Sequence, residues 1–288
     1  MFQRLLLSLP LLFGVSFSTA QEIRVSASDL LADYIVEPLE SYGADNGIDF
    51  NIDGIGTLPA MDRLRSDETD LAIIAVPEGD EAPRDGLMVY PFAYDVAVVV
   101  VNQSNPIDEI SMAGLGGIFG ANEELNHNTW GDLGLSGWGN RSIKPLAAQK
   151  PGSISLELFK NSALLHGGLK SSVSVVKDGE AEELVASDPV SIAILPRLPE
   201  RDRLKTLMVS TDGDGPAFGP SEDNVHYGDY PIRLAFFVVF DERDEERLEP
   251  VLRALLGDAV AEALRENDLF ALPGTVRRKL LIDLDLED

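Results

Sequence analysis

The hydrophobic positions of the chain follow two different periods, and their alternation predicts an α/β fold. Apolar residues at every second position, or in short runs, indicate strands at 22–28, 48–56, 69–76 and 96–101. Apolar residues at helical spacing indicate helices at 30–47 and 58–68. Strands that alternate with helices along a chain are typical of a sheet covered by helices.

The second half of the chain continues the alternation after a glycine-rich and asparagine-rich segment, 114–146. A helix is predicted from about Ser155 to Leu165, and a polar loop at 212–231. The remaining predicted strands are 172–176, 190–196 and 232–240, and the remaining predicted helices are 179–189 and 244–267.

The strongest strand signal, around 96–102, and a second strand at 191–196 lie on either side of the middle of the chain. They predict two lobes, with residues 21–98 and 197–288 in lobe I and residues 99–196 in lobe II. Ligands of α/β sheets bind beyond the carboxyl ends of strands, and a two-lobed protein can bury them by hinge closure.

The first twenty residues have the pattern of a cleaved secretory signal. Arg4 precedes an apolar run that Pro10 interrupts, and the run ends in the small residues Ser18, Thr19 and Ala20. The run is short for a membrane span, although a retained anchor is the alternative interpretation. The chain has no cysteine, so it offers neither a disulfide nor a lipidation site of that kind. We expect export and a soluble periplasmic product.

The formal net charge of −26 excludes some partners. Such acidity disfavours nucleic acids and anionic membranes. It also repels anionic ligands at long range, but salt screens that repulsion beyond about 8–10 Å. A small anion can therefore still bind where dipoles and hydrogen bonds are well aimed. No phosphate-binding loop or dinucleotide fingerprint is present, so no cofactor is expected.

One segment, "AAQKPGSISLELFK" at 147–160, has the features of a small anion site. Gly152, Ser153 and Ser155 precede or open a predicted helix, whose first N–H groups are free and whose dipole is positive at that end. The same serines can act only as helix caps, and sequence alone leaves both roles open.

Several phrases in a fixed order resemble the phosphate-type periplasmic solute-binding proteins of ABC transporters. They cover nearly all of the chain after residue 20, and the phrases are "VSASDLL", "IDGIGTLPAM", "TDLAIIAVP", "YDVAVVVVNQSNP", "LGGIFG", "TWGDLG", "PGSISLELF" and "YPIRLAFFVVF". The resemblance implies a type II binding-protein architecture with two lobes, each a central sheet flanked by helices. It also implies a non-catalytic, monomeric protein that presents a small oxyanion, or another small polar solute, to transporter membrane subunits.

The resemblance also implies where the ligand binds. In the family an oxyanion is held between the lobes by hydroxyls, backbone N–H groups, an arginine and an acceptor aspartate. Carried over position by position, the ligand-binding residues here are Ser28, Asp29, Thr57, Gln149, Ser153, Ile154 and Ser155.

Four departures from the family pattern change the expected chemistry. Gln149, followed by Lys150, stands where the family has an arginine, which would give a charge-assisted, bidentate pair with the anion. Ile74 and Ala75 stand where the family has serine and aspartate, and Ile154 replaces a glycine. In addition, Asp29 would oppose an anion unless it caps a helix, which is the role we expect for it.

Two other functions remain open at this stage. A cleft plugged by Ile55, Ile154 and Leu156 would indicate an exported interaction or sensor component that has lost small-ligand binding. A hydrolase would need a histidine within hydrogen-bond reach of an exposed serine. The histidines His127, His166 and His226 lack metal-ligand spacing, so we expect no metal site. No Gly-x-Ser-x-Gly elbow and no convincing Ser-His-Asp arrangement is present, so we expect no enzyme.

Overall fold

The computed structural model describes residues 21–121, 124–164 and 167–286, except for the side chains of 285 and 286. The predicted signal sequence lies outside the described residues. The same is true of His166 and of Leu165, the predicted last residue of a helix.

The first part of the chain forms the predicted alternation of strands and helices. Its bounds are β1 Gln21–Ala27, α1 Ala32–Asn46, β2 Ile48–Gly54, α2 Thr57–Arg65 and β3 Leu71–Val76. The helix α1 buries Ile35 and Leu39, at the spacing that predicted it, and ends at Gly47 in the left-handed conformation. The α/β prediction is therefore confirmed for this part of the chain.

The long apolar run around 96–102 belongs to two strands rather than one. The strands are β4 Leu87–Val96 and β5 Val98–Asn102. Only Ala97 separates them, and they belong to different sheets. The run is continuously hydrophobic because both strands are buried on both faces where they meet.

The remaining elements follow in chain order. They are β6 Glu109–Ser111, α3 Met112–Phe119, β7 Lys144–Gln149, α4 Ser155–Ala163, β8 Ser174–Lys177, α5 Asp178–Ser187, β9 Ser191–Leu195, β10 Leu204–Thr206, β11 Met208–Ser210, α6 Glu222–Tyr227, β12 Arg233–Asp241, α7 Glu245–Leu255, α8 Asp258–Glu266, β13 Phe270–Ala271 and α9 Gly274–Leu286. The predicted helical region 244–267 divides into α7 and α8 at Leu256 and Gly257.

Within the described ranges, two large sheets organise the molecule. The first has six strands in the order β13-β4-β12-β3-β1-β2, and β12 is antiparallel to both β3 and β4. The second has five strands in the order β10-β5-β9-β7-β8, in which β7 is parallel to β8 and β9. A small parallel pair, β6 with β11, completes the pattern.

The chain returns from the five-stranded sheet to the six-stranded sheet later than the predicted boundary at residue 197. The strand β10, which the prediction placed in lobe I, pairs antiparallel with β5 in the five-stranded sheet. The chain re-enters the six-stranded sheet only at Arg233, in β12. The cause is a long-range pairing of three residues, Leu204 to Thr206, with Val100 to Asn102.

The chain first crosses from the six-stranded to the five-stranded sheet at Ala97, and a buried hydrogen bond holds this crossing in place. Tyr230 is fully buried, and its hydroxyl donates to the Ala97 carbonyl at 2.8 Å. Ala97 in turn donates its N–H to the Ile232 carbonyl at 3.1 Å.

Among the helices that the structure describes, none combines the length and the hydropathy that crossing a bilayer requires.

Candidate functional site

The candidate site lies where several helices begin at the carboxyl ends of parallel strands. The strands β1, β2 and β3 are parallel, so their carboxyl ends lie at one edge of the six-stranded sheet. The helices α1 and α2 start at that edge, and α4 starts after β7 in the other sheet. A helix start generally leaves some N–H groups without an intrahelical partner and carries a partial positive charge, which suits an anion.

The first loop brings a buried hydroxyl and an exposed carboxylate to this edge. Ser28 is buried, and its Oγ accepts from the Leu30 N–H at 3.4 Å. Asp29 is exposed and does not cap α1, because the N-cap residue is Leu31 and no side chain caps that helix. The cap role predicted for Asp29 is therefore wrong, since the helix begins two residues too late for it.

The Asp29 carboxylate lies beside the second loop. Its Oδ1 is 3.7 Å from the position that a Cβ on Gly56 would occupy, and Gly56 has a positive φ of 86°. The N–H groups of Ile55 and Gly56 both donate to the Ala27 carbonyl, which ties the two loops together. An anion placed here would meet a negative side chain that no described residue neutralises.

The Thr57 hydroxyl is used to join the second loop to β3. It accepts from the Ala75 N–H at 2.9 Å and is 3.4 Å from the Ala75 carbonyl oxygen. Ala75 is one of the two apolar residues at the positions where the resemblance led us to look for serine and aspartate. The methyl group of Ala75 supplies no acceptor for a proton on the ligand.

The third loop places two serines at the start of α4. Ser153 Oγ accepts from the Ser155 N–H at 3.2 Å, but Ser153 precedes the N-cap residue, which has no side-chain cap bond. Ser155 is 2% exposed, and its hydroxyl forms no hydrogen bond with any residue that the structure describes. Ile154 lies between them as the N-cap residue, and Gln149 ends β7 with an exposed side chain.

A cavity of about 610 Å³ lies between the two sheets, beside the start of α4. Ala75 lines it from the first sheet, next to Thr57, and Ile154 lines it from α4, between the two serines. The other lining residues are Pro77, Glu78, Met112, Glu157, Leu158, Asn161, Ser162, Thr211, Pro231, Arg233 and Leu234. Of the seven predicted site residues, all of them described, Ile154 alone lines this cavity, and Thr57 is joined to its wall through Ala75.

Lys150 does not face this cavity but forms an ion pair across the cleft. Its Nζ pairs with the Asp268 carboxylate, which lies between α8 and β13. Lys150, Ser153, Asp95 and Asp268 line a second, smaller cavity. Lys150 has therefore not taken the place of the family arginine, because its charge is already paired with a residue of the other unit.

Asp95 is a buried carboxyl beside that ion pair. It is 6% exposed, and its Oδ1 accepts from the Val96 N–H at 2.8 Å. Burial raises the pKa of Asp95 to about 7, while the Val96 bond and the Lys150 charge act in the opposite direction. The Asp268 charge adds to the increase.

Arg233, a basic residue at the edge of the large cavity, was not among the site residues predicted from the sequence. Its guanidinium bonds Glu78 at 3.0 Å and the Val225 carbonyl at 2.6 Å, and lies 5.5 Å from the Tyr94 ring centre. The available signal was its position, since it opens the strong strand β12. It holds Glu78 and the turn after α6 at one rim of the cavity.

The two described histidines do not contact a serine. His226 Nδ1 is 2.9 Å from the Tyr94 hydroxyl, and the pKa of His226 is lowered by burial and by the Arg233 charge. His127 packs against Gly117. Within the described ranges, no group of histidine and carboxylate side chains has a geometry suited to a metal ion.

The hydrophobic residues that were considered as a plug are mostly packed elsewhere. Ile55 packs on the small cluster around α2, and Leu156 packs on the main core. Of the three, Ile154 lines the large cavity. The cleft contains a cavity at the position where the plug was considered.

The model of the PBP superfamily domain matches residues 16–256. The phosphate-binding protein PstS of Pseudomonas aeruginosa is 26% identical over 208 residues, which are 68% of this chain and 64% of that protein. The chain thus spans less than two thirds of the length of that relative. Protein SphX of Synechococcus elongatus is 26% identical over 250 residues, 81% of this chain and 72% of that protein.

A solved structure shares the fold. PstS from Borrelia burgdorferi superposes with a TM-score of 0.70 at 15% identity, over 88% of this chain and 99% of that one. The predicted two-lobed, type II binding-protein architecture is therefore confirmed. The resemblance to phosphate-type binding proteins, carried by short phrases of the sequence, is confirmed as well.

Proposed function

The chain belongs to the PBP superfamily, and on that basis we propose that it is an exported solute-binding protein that captures a small, phosphate-like oxyanion. The ligand would sit in the cleft between the two sheets and serve ABC-type uptake or sensing. Export rests on the signal-like residues 1–20 and leads to a periplasmic, soluble product. The expected partners are the solute and transporter membrane subunits, with no nucleic acid.

One observation carries the proposal. A single cavity is lined by Ala75, which is hydrogen-bonded to Thr57, and by Ile154, which lies between Ser153 and Ser155. The cavity thus lies beside the start of α4, and the start of α2 is joined to its wall by the bond between Thr57 and Ala75. Backbone N–H groups at helix starts bind oxyanions without further charge, because the dipole favours negative charge there.

Binding would proceed without chemistry. The Ser155 hydroxyl and the N–H groups of Leu156 and Glu157 in the first turn of α4 would donate to the oxyanion, with Ser28 and Ile154 contributing from the neighbouring loops. The unit built on the six-stranded sheet and the unit built on the five-stranded sheet would close around the ligand as a hinge. Asp29, Thr57 and Gln149 remain ligand candidates, although Thr57 already bonds Ala75.

The test is calorimetric titration of the protein, expressed from its full sequence, with inorganic phosphate and with sulfate. A dissociation constant near 1 μM, about 8 kcal/mol, would support the proposal. Ser155→Ala should weaken phosphate binding about tenfold, since a lost hydrogen bond to a charged group costs about 1.5 kcal/mol. Ser187→Ala, a serine at the end of α5, is the matched control and should leave binding unchanged.

A second candidate function is favoured by the ion pair of Lys150 with Asp268. The pair withdraws a cation from the cleft, and the protein would then act as an exported interaction or sensor component. Absence of heat with both anions would favour this candidate and contradict the oxyanion proposal.

A further inference from the structure

The large cavity of the cleft is much bigger than an inorganic oxyanion requires. Its volume of about 610 Å³ lies within the range of about 300–1,000 Å³ that is typical of sites for small organic ligands. Phosphate has only five heavy atoms. A bare ion held at the helix starts would leave most of the cavity unfilled by ligand.

The walls of the cavity next to the predicted donors are apolar. Ala75 and Leu234 line it from the six-stranded sheet, and Met112, Ile154 and Leu158 line it from the other unit. Leu158 and Leu234 are each less than a tenth exposed. An oxygen atom of phosphate facing these side chains would lose its hydration without gaining a donor, which is unfavourable.

The charges at the rim exclude a second anionic group. Glu78 and Glu157 both line the cavity. The Arg233 guanidinium is bonded to Glu78 and to the carbonyls of Val225 and His226. Glu157 is likewise paired with Lys160, so the described rim residues offer no unpaired cation to a second negative group. A ligand that extends into the cavity should therefore be uncharged along that part.

We propose that the cleft binds an organic phosphate or phosphonate with one compact apolar substituent in preference to inorganic phosphate. The proposal rests on the oxyanion function given above and specifies its substrate class. The oxyanion head lies at the start of α4, and the substituent replaces the oxygen that would face Ala75 and Ile154. Monoesters and phosphonates share this chemistry and differ only in the atom that joins the substituent to phosphorus.

Calorimetry with four probes tests the proposal: inorganic phosphate, phenyl phosphate, phenylphosphonate and phenol. Phenyl phosphate or phenylphosphonate should bind at least about tenfold more tightly than inorganic phosphate, since the ring is removed from water. The stronger of the two identifies the joining atom. Phenol should give no saturable heat, because it lacks the oxyanion head.

Variants that fill the cavity test its role. Ala75→Leu should reduce the preference for the phenyl compounds to about onefold. Asn161→Phe introduces a ring from an exposed position of α4 and should do the same even if Ala75→Leu does not fold. Asn161→Ala, which leaves the cavity open, is the matched control and should keep the preference.

The outcomes separate this inference from the proposed function. Phosphate that binds as tightly as the phenyl compounds would overturn the inference and leave the oxyanion function in place. A preference that survives in both Ala75→Leu and Asn161→Phe would also overturn it, because the substituent would then lie elsewhere. Absence of binding by all the oxyanions would overturn both.

Discussion

Replacing Asp95 with asparagine should make the protein more stable above neutral pH. Asp95 is buried at the end of β4, and burial raises its pKa from an ordinary value near 4 to about 7. The folded chain thus keeps a proton that the unfolded chain releases at lower pH. The contribution of this proton to the free energy of unfolding is fully present below about pH 4 and is lost as the pH rises to about 7.

The size of the effect follows from the shift in pKa. About three units at 1.36 kcal/mol per unit correspond to roughly 4 kcal/mol lost between about pH 4 and pH 8. The side-chain amide of the Asp95→Asn variant has no titrating proton, and its oxygen can still accept from the Val96 N–H. Asp95→Asn should therefore match the parent near pH 4 and exceed it by up to about 4 kcal/mol near pH 8.

Urea unfolding of both proteins at a series of pH values measures this difference directly. All other groups titrate in both proteins, so the difference between their two profiles isolates Asp95. Asp202→Asn, at an exposed position, is the control and should run parallel to the parent. Parallel profiles for Asp95→Asn as well would refute the argument that burial holds a proton on this carboxyl.

Three further changes probe the contacts between the two units and the start of the chain. Asp268→Asn should free Lys150 and tighten phosphate binding several-fold in calorimetry; asparagine tolerates the φ of 66° at this position. If the double variant Lys150→Met/Asp268→Asn binds phosphate as tightly as Asp268→Asn does, Lys150 is not the cause of the gain. Tyr230→Phe should cost about 1–2 kcal/mol in urea unfolding, because the buried Ala97 carbonyl loses a donor, and a loss below about 0.3 kcal/mol would contradict this role. Intact mass spectrometry of the exported protein should show a chain that begins at Gln21, whereas a product that retains residues 1–20 would support the anchor.

The parts of the fold that the sequence predicted are those with strong local patterns. The succession from β1 to β3 followed from alternating strands and from the periodic positions of α1. By contrast, β7 was missed because Lys144–Gln149 is rich in alanine, carries Pro145 and has no β-branched residue. The second passage between sheets was misplaced because β10 has only three residues, and its sheet is set by a distant partner.

The residues of the site could likewise be predicted only where a local pattern in the sequence marks them. The serines at the start of α4 could be found because they lie within a few residues of one another and of a helix start. The pair Lys150–Asp268 joins residues 118 positions apart, and the acidic partner lies in a short turn with no pattern of its own. No local signal in the sequence places Asp268 beside Lys150.

The position of β12 has a consequence for how the chain folds. This strand lies between β3 and β4 and pairs with both, yet it is synthesised more than a hundred residues after them. A growing chain therefore carries β3 and β4 as separate edges, and the six-stranded sheet cannot close until almost the whole chain is available. Such high contact order slows folding. If the chain is exported as proposed, this delay would keep it unfolded for passage through a membrane channel, and its open strand edges would need protection until the sheet closes.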